Sequence, residues 1–184
     1  MLFDLAEQIR GHMNEPSESA TSTSRIDALI ADLGSNSEVP RKQAESQLRR
    51  IGQSALVPLI QALATSTEYG RGRAARTLGK IGDPASAPAL VKALEDDKFD
   101  VRWLAARAIV ALRRPGLAAL LQALIERPHS TLLRESAHHV LHDEANEKWN
   151  QQLAPVMQAL EGSDPMDAVP VAAEKARRTL FGAK

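Results

Sequence analysis

The chain restates itself. Residues 73–82, RAARTLGKIG, and residues 104–113, LAARAIVALR, keep small, branched and arginine positions in step at a distance of 31. The register extends to both sides. Ala75, Ala106 and Ala137 follow one another at intervals of 31, as do Leu78, Ile109 and Val140, while Leu48, Ile51 and Gly52 stand 30 before Leu78, Ile81 and Gly82. Branched residues three and six positions after a small one fall on a narrow stripe of a helix. A helix-sized unit that recurs at this period cannot bury its stripe alone. It does so by stacking on the next copy, so the chain is expected to be a solenoid.

Apolar periodicity predicts helices over about 25–33, 39–51, 54–64, 71–81, 85–95, 100–113, 116–126, 131–142, 149–161 and 170–181, separated by breaks such as GQS, GDP, RPG and EGSDP. Glycine at a helix end tolerates the left-handed cap, and proline just beyond it pre-forms the next first turn. No run alternates with period two. The length of 184 residues suits one domain or one stack, and the scarcity of aromatics (3%) suits close-packed helices. Ahead of the stack, Leu2, Leu5, Ile9 and Met13 predict an amphipathic helix within 1–13, and NEPSESATSTS (14–24) predicts a flexible linker leading into a repeat domain over 25–184. The first helix could cap the domain, dock on a partner or fray as a tail, and all three readings stay open.

The stretch 69–112 resembles the HEAT repeat, and within it the short subtype of the phycobilin lyases, through Arg71, Ala74, Ala75, Leu78, Gly79, Ile81, Gly82, Asp83, Ala87, Leu90, Leu94, Val101, Arg102, Ala105 and Ala106. The resemblance implies an all-α fold, a right-handed α-α superhelix of about five helix pairs: 25–52, 54–82, 84–114, 115–143 and about 149–181. It also implies that the second helix of each pair lines the concave side. The last pair departs from the pattern, as a terminal cap does.

Charge sorts by helix row. The chain as a whole is balanced, with 23 Lys plus Arg against 23 Asp plus Glu. The second helices, 149–181 included, carry 16 of the cationic side chains and only Glu45, Asp100, Glu135, Asp143 and Glu174 against them, so that row stands at about +11. Arg71 and Arg102 are expected to pair with loop acids such as Asp83, Asp96 or Asp97 in an inter-repeat ladder. Arg73, Arg76, Trp103, Arg107, Arg134 and His138 fall near the solvent side of their helices and form the expected partner-binding set. An ordinary solvated face competes with that reading.

Catalytic chemistry has little to stand on. The chain has no Cys, no G-x-S-x-G and no P-loop ending after YGRGR (69–73). His138 and His142 are i, i+4 in ESAHHVLHDE, but position 139 is His where a zinc protease needs Glu. The chain also contains no His-Glu dipeptide of the kind that holds iron in the HEAT-like deoxyhypusine hydroxylases. No cofactor and no metal are expected. The expected function is a non-catalytic scaffold or adaptor that holds a protein partner with an acidic surface on a basic concave face. The alternative is a phycobilin lyase-like or chaperone-like protein for an anionic small molecule, with nucleic-acid binding a minor option. No apolar run reaches membrane-spanning length, so a cytoplasmic chain is expected.

Overall fold

A computed structural model describes residues 18–143 and 148–182. The predicted helix 1–13 lies outside these residues. The helices, in chain order, are α1 (Glu18–Leu33), α2 (Glu38–Ile51), α3 (Leu56–Thr65), α4 (Glu68–Ile81), α5 (Ala87–Ala93), α6 (Phe99–Leu112), α7 (Arg114–Glu126), α8 (Thr131–Leu141), α9 (Asn150–Glu161) and α10 (Pro165–Phe181). Single 3₁₀ turns lead into α3 (Gly52–Ala55) and α5 (Pro84–Ser86), and the described residues contain no strand. The stretch 14–24 is not all linker: from Glu18 onward it is helical. Ser and Thr cost a helix only tenths of a kcal/mol each, so α1 propagates backward from the turns that Ile26, Leu29 and Leu33 bury. No described helix is long and apolar enough to cross a membrane.

Helix ends follow the local chemistry of the breaks. The Thr67 hydroxyl accepts from the Gly70 amide (3.3 Å), and the Ser130 hydroxyl accepts from the Leu133 amide (3.3 Å). Asp83 caps the turn before α5 by accepting from the Ala85 amide (2.9 Å). Its carboxylate is therefore employed locally and takes no part in the expected ladder. Gly82 ends α4 in the left-handed conformation (φ 77°) and returns its amide to the Leu78 carbonyl (3.0 Å).

The repeated stripe is the core. Leu48, Leu78, Ile109 and Val140 occupy one register on successive second helices and are all at most 1% exposed. Through α8 the helices stack as two rows: α1, α3, α5 and α7 form the first, and α2, α4, α6 and α8 the second. α4 packs closely on α6, because Gly79 has no side chain where a Cβ would lie 2.8 Å from the Ala108 Cα.

The last pair reverses this order. α10, its second helix, lies on α7 of the first row, and α9 lies on α8 of the second. Arg114 of α7 donates to the Leu180 carbonyl (2.7 Å) and sits over the Phe181 ring at 5.0 Å. The buried side chains facing inward from α10 are small (Val169, Ala173, Ala176), which permits the close approach. Lys175, Arg177 and Arg178 therefore do not belong to the second row, contrary to the expected charge sorting. Glu174 also holds two of them, Arg177 at 2.9 Å and Arg178 at 2.5 Å, and those hydrogen bonds set its carboxyl below the usual range.

Candidate functional site

The second row carries one acidic residue inside its apolar stripe. Glu45 of α2 stands three before Leu48, the place that Ala75, Ala106 and Ala137 hold before Leu78, Ile109 and Val140. It is 5% exposed. A carboxylate so placed costs several kcal/mol unless it is paired and hydrogen-bonded. α4 supplies the partners: Arg73 through Nη1 (3.5 Å), Arg76 through Nε (3.3 Å), and Lys80 through Nζ. Helical spacing makes this possible, since residues at i, i+3 and i+7 share a face. Three cations thus converge on a single carboxylate.

Two adjoining clefts open beside this cluster. One, of about 340 Å³, is lined by Glu38, Lys42, Glu45, Ser46, Arg49, Arg73, Arg76 and Lys80. The other, of about 420 Å³, runs between α4 and α6 and is lined by Arg76, Gly79, Lys80, Trp103, Leu104, Arg107, Ala108 and Ala111. They share Arg76 and Lys80, so together they make one groove across α2, α4 and α6. Its charged lining is six cations against two carboxylates, and both carboxylates already hold cations, Glu38 through Lys42 (2.7 Å) and Glu45 as above. The Lys42 hydrogen bond and charge set the Glu38 carboxyl below its ordinary range. Trp103 is 46% exposed in the second cleft, and the Arg107 guanidinium lies 5.1 Å from its ring centroid.

Of the six predicted partner-binding residues, the structure brings Arg73, Arg76, Trp103 and Arg107 together in this groove and places two elsewhere. Arg134 belongs to a series that also contains Arg41, Arg71 and Arg102, one near the start of each second helix. Each sends Nη1 back to a carbonyl of the preceding loop: Arg41 to Ser35 (2.6 Å), Arg71 to Ser66 (3.3 Å), Arg102 to Asp96 (2.9 Å) and Arg134 to Pro128. His138 turns its Nε2 to Glu161 of α9 (3.1 Å) and packs near His142, ring centroids 5.5 Å apart. Among the described residues, no group of three or more metal-ligating side chains converges.

The ladder is partly as the sequence predicted it. Arg71 grips Asp96 with two bonds (Nε at 2.6 Å, Nη2 at 2.7 Å) and also reaches Asp97 (3.0 Å). Arg102 instead takes the Asp96 and Asp97 carbonyls. Burial pushes the Asp96 carboxyl upward, but the Arg71 hydrogen bonds and the Lys98 amide outweigh it and hold that carboxyl below its ordinary range.

Two features escaped the sequence reading. Glu45 was counted as a charge on the row, although its register with three alanines marks it as buried. The second is a cleft of about 910 Å³ on the first row, floored by Ile60, Leu63, Ala64, Ala89, Ala119 and Ala123. Its rim carries Glu95, Asp96, Asp97 and Glu126 against Arg71, Lys92 and Arg127. The signal for it was the alanine content of three first helices together with the shortness of α5.

The sequence pattern of HEAT repeats matches residues 26–97 and 56–142. Among solved structures, the chain is similar to one titled "The structure of the complex of CpcE and CpcF of phycocyanin lyase from Nostoc sp. PCC7120". The identity is 21% with a TM-score of 0.51, over 84% of this chain and 99% of that one, a likeness of fold. No curated protein matches. With the repeat pattern covering more than half of its length and the two-row stack described above, the chain belongs to the HEAT-repeat family.

Proposed function

We propose that this protein is a non-catalytic scaffold whose second-helix row captures an acidic protein surface. The observation that carries the reading is the groove across α2, α4 and α6, with six cations, two already-paired carboxylates and an exposed Trp103. Stacked repeats supply such a surface already shaped, so little ordering entropy is lost on binding. Tryptophan and arginine are also the residues that most often dominate interface energies. That the similar solved structure is titled as a complex of two proteins agrees with a partner-binding role.

The test is capture from native lysate, read by mass spectrometry, with wild type beside Arg76→Glu combined with Arg107→Glu. Loss of the enriched partner in the double variant is expected. The double variant is melted beside wild type, because Arg76→Glu sets a second carboxylate against buried Glu45. Should it melt early, Arg107→Glu alone decides, since Arg107 makes no ion pair among the described residues and surface changes of this kind stay within about 0.5 kcal/mol. Undiminished capture by the double variant would overturn the reading.

A second reading, an anionic small molecule held as in a lyase, draws on the phycocyanin lyase in that title and on the size of the first-row cleft. A volume near 900 Å³ suits a ligand of drug or pigment size. Yet the rim there leans acidic, while the cationic lining belongs to the smaller clefts of the other row. Size and charge fall on different rows, which favours the scaffold. A chromophore that co-purifies and is visible by absorbance would reverse this order.

A further inference from the structure

We infer that the groove reads a short acidic peptide bearing one bulky apolar or aromatic side chain, its carboxylate seated among Arg73, Arg76 and Lys80 and its anchor laid on Trp103. The inference rests on the scaffold reading and gives its partner a chemistry.

The seat is incompletely satisfied. Arg76 approaches Glu45 through Nε and Arg73 does so through Nη1, and the remaining amino groups of both guanidinium forks donate no hydrogen bond to a carboxylate among the described residues. The side chains of Arg73, Arg76 and Lys80 are 25%, 46% and 40% exposed, so ligand can reach all three. One carboxylate on three cations leaves two charges uncompensated, and a guanidinium fork matches an incoming carboxylate in two bonds. Glu45 is itself a built-in occupant of the first place. It draws the cations together in the absence of ligand, and no other repeat carries an acid in that register.

The anchor place lies next to the seat, because the clefts meet at Arg76 and Lys80. Its floor is apolar, with Leu104, Ala108 and Ala111 around the exposed indole. Arg107, stacked on that indole without an ion pair among the described residues, is a second contact for acid beside the anchor. A run of phosphates fits this arrangement less well. Glu38 and Glu45 interrupt the positive lining, and Trp103, the one aromatic among the lining residues, offers one stacking position where single-stranded nucleic acid uses several.

Fluorescence anisotropy with four labelled probes tests the inference: an acidic peptide with one Trp, the same peptide with Gly for Trp, the Trp peptide with Gln for each acid, and oligothymidylate. Loss of the anchor or of the acids is expected to weaken binding about tenfold, or about 1.4 kcal/mol. Trp103→Ala should reduce the anchored peptide to the level of its Gly counterpart and leave that counterpart unchanged. Glu45→Gln should tighten both acidic peptides several-fold, because the seat loses its resident acid and gains a unit of positive charge. Should Glu45→Gln fail to melt like the wild type, the Trp103→Ala arm decides alone. Equal binding with and without the anchor, tighter binding of oligothymidylate than of every peptide, or no binding of either acidic peptide would each overturn the inference. In the last case, lysate capture that is still lost with Arg76→Glu and Arg107→Glu leaves the scaffold reading standing; capture retained by that variant sinks both.

Discussion

Arg113 holds a backbone conformation (φ 59°, ψ −127°) that Gly52 also adopts, at φ 67° and ψ −125°. Positions 52, 82 and 113 are the same point of three successive repeats, the end of the second helix, and all three have positive φ. The first two are glycines; the third bears a Cβ where one costs about 1–3 kcal/mol. Arg113→Gly is therefore expected to be more stable than Arg113→Ala by about 1 kcal/mol, a melting midpoint higher by about 2–4 °C, since both variants lose the side chain and only the alanine keeps the Cβ. The equivalence of these positions was legible from their spacing. The strain was not, because an arginine gives no sign of left-handed backbone. Asp96 offers a second test at this scale. Its carboxyl is held below its ordinary range, so the stability it contributes is fully present above the unfolded value of about 3.9 and is lost as pH falls through the lower folded value. Asp96→Asn should cost about 1–3 kcal/mol at pH 7, and thermal melts of variant and wild type should converge as the pH is taken well below 4.

Elements were the most legible level. Each predicted helix that lies in the described residues exists, with ends displaced by a few residues where capping or packing, rather than pattern, decides the boundary. The larger displacement at α1 came from Ser and Thr, which mark turns in isolation yet are tolerated in a helix anchored by a buried stripe. Gly79 shows what a pattern leaves out. The register partners 30 before and 31 after it are Arg49 and Val110, so nothing in the repeat announced a contact between α4 and α6 too close for a Cβ. Gly79→Ala sets the new methyl against the backbone of Ala108. A loss of about 1–3 kcal/mol is expected, visible as a lower denaturant midpoint with an unchanged slope. Gly79→Ala should also weaken partner capture, since α6 carries Trp103 and Arg107 into the groove and any outward shift of α6 widens it.

At the scale of the whole molecule, the reversed final pair is the feature the sequence did not disclose. Helix order within a pair follows from the chain only while each pair repeats the last, and 149–181 had already left the pattern. α10 covers α7, so deleting residues 144–184 should bare an apolar strip of the first row; broadened melting and concentration-dependent association by light scattering are expected of that truncation. The same reversal narrows the basic row to what α2, α4, α6 and α8 carry. The candidate site was half legible, for a related reason. Arg73, Arg76, Trp103 and Arg107 share a face by helical spacing alone, whereas Arg134 was claimed by a loop carbonyl and His138 by α9, contacts that no local pattern records. Because the groove crosses three stacked helices, it is also a ruler. Two steps of about 8–10 Å between helix axes give it a length near 20 Å, which an extended chain at about 3.3–3.6 Å per residue covers with about six residues, and each added repeat would lengthen the legible motif by about three.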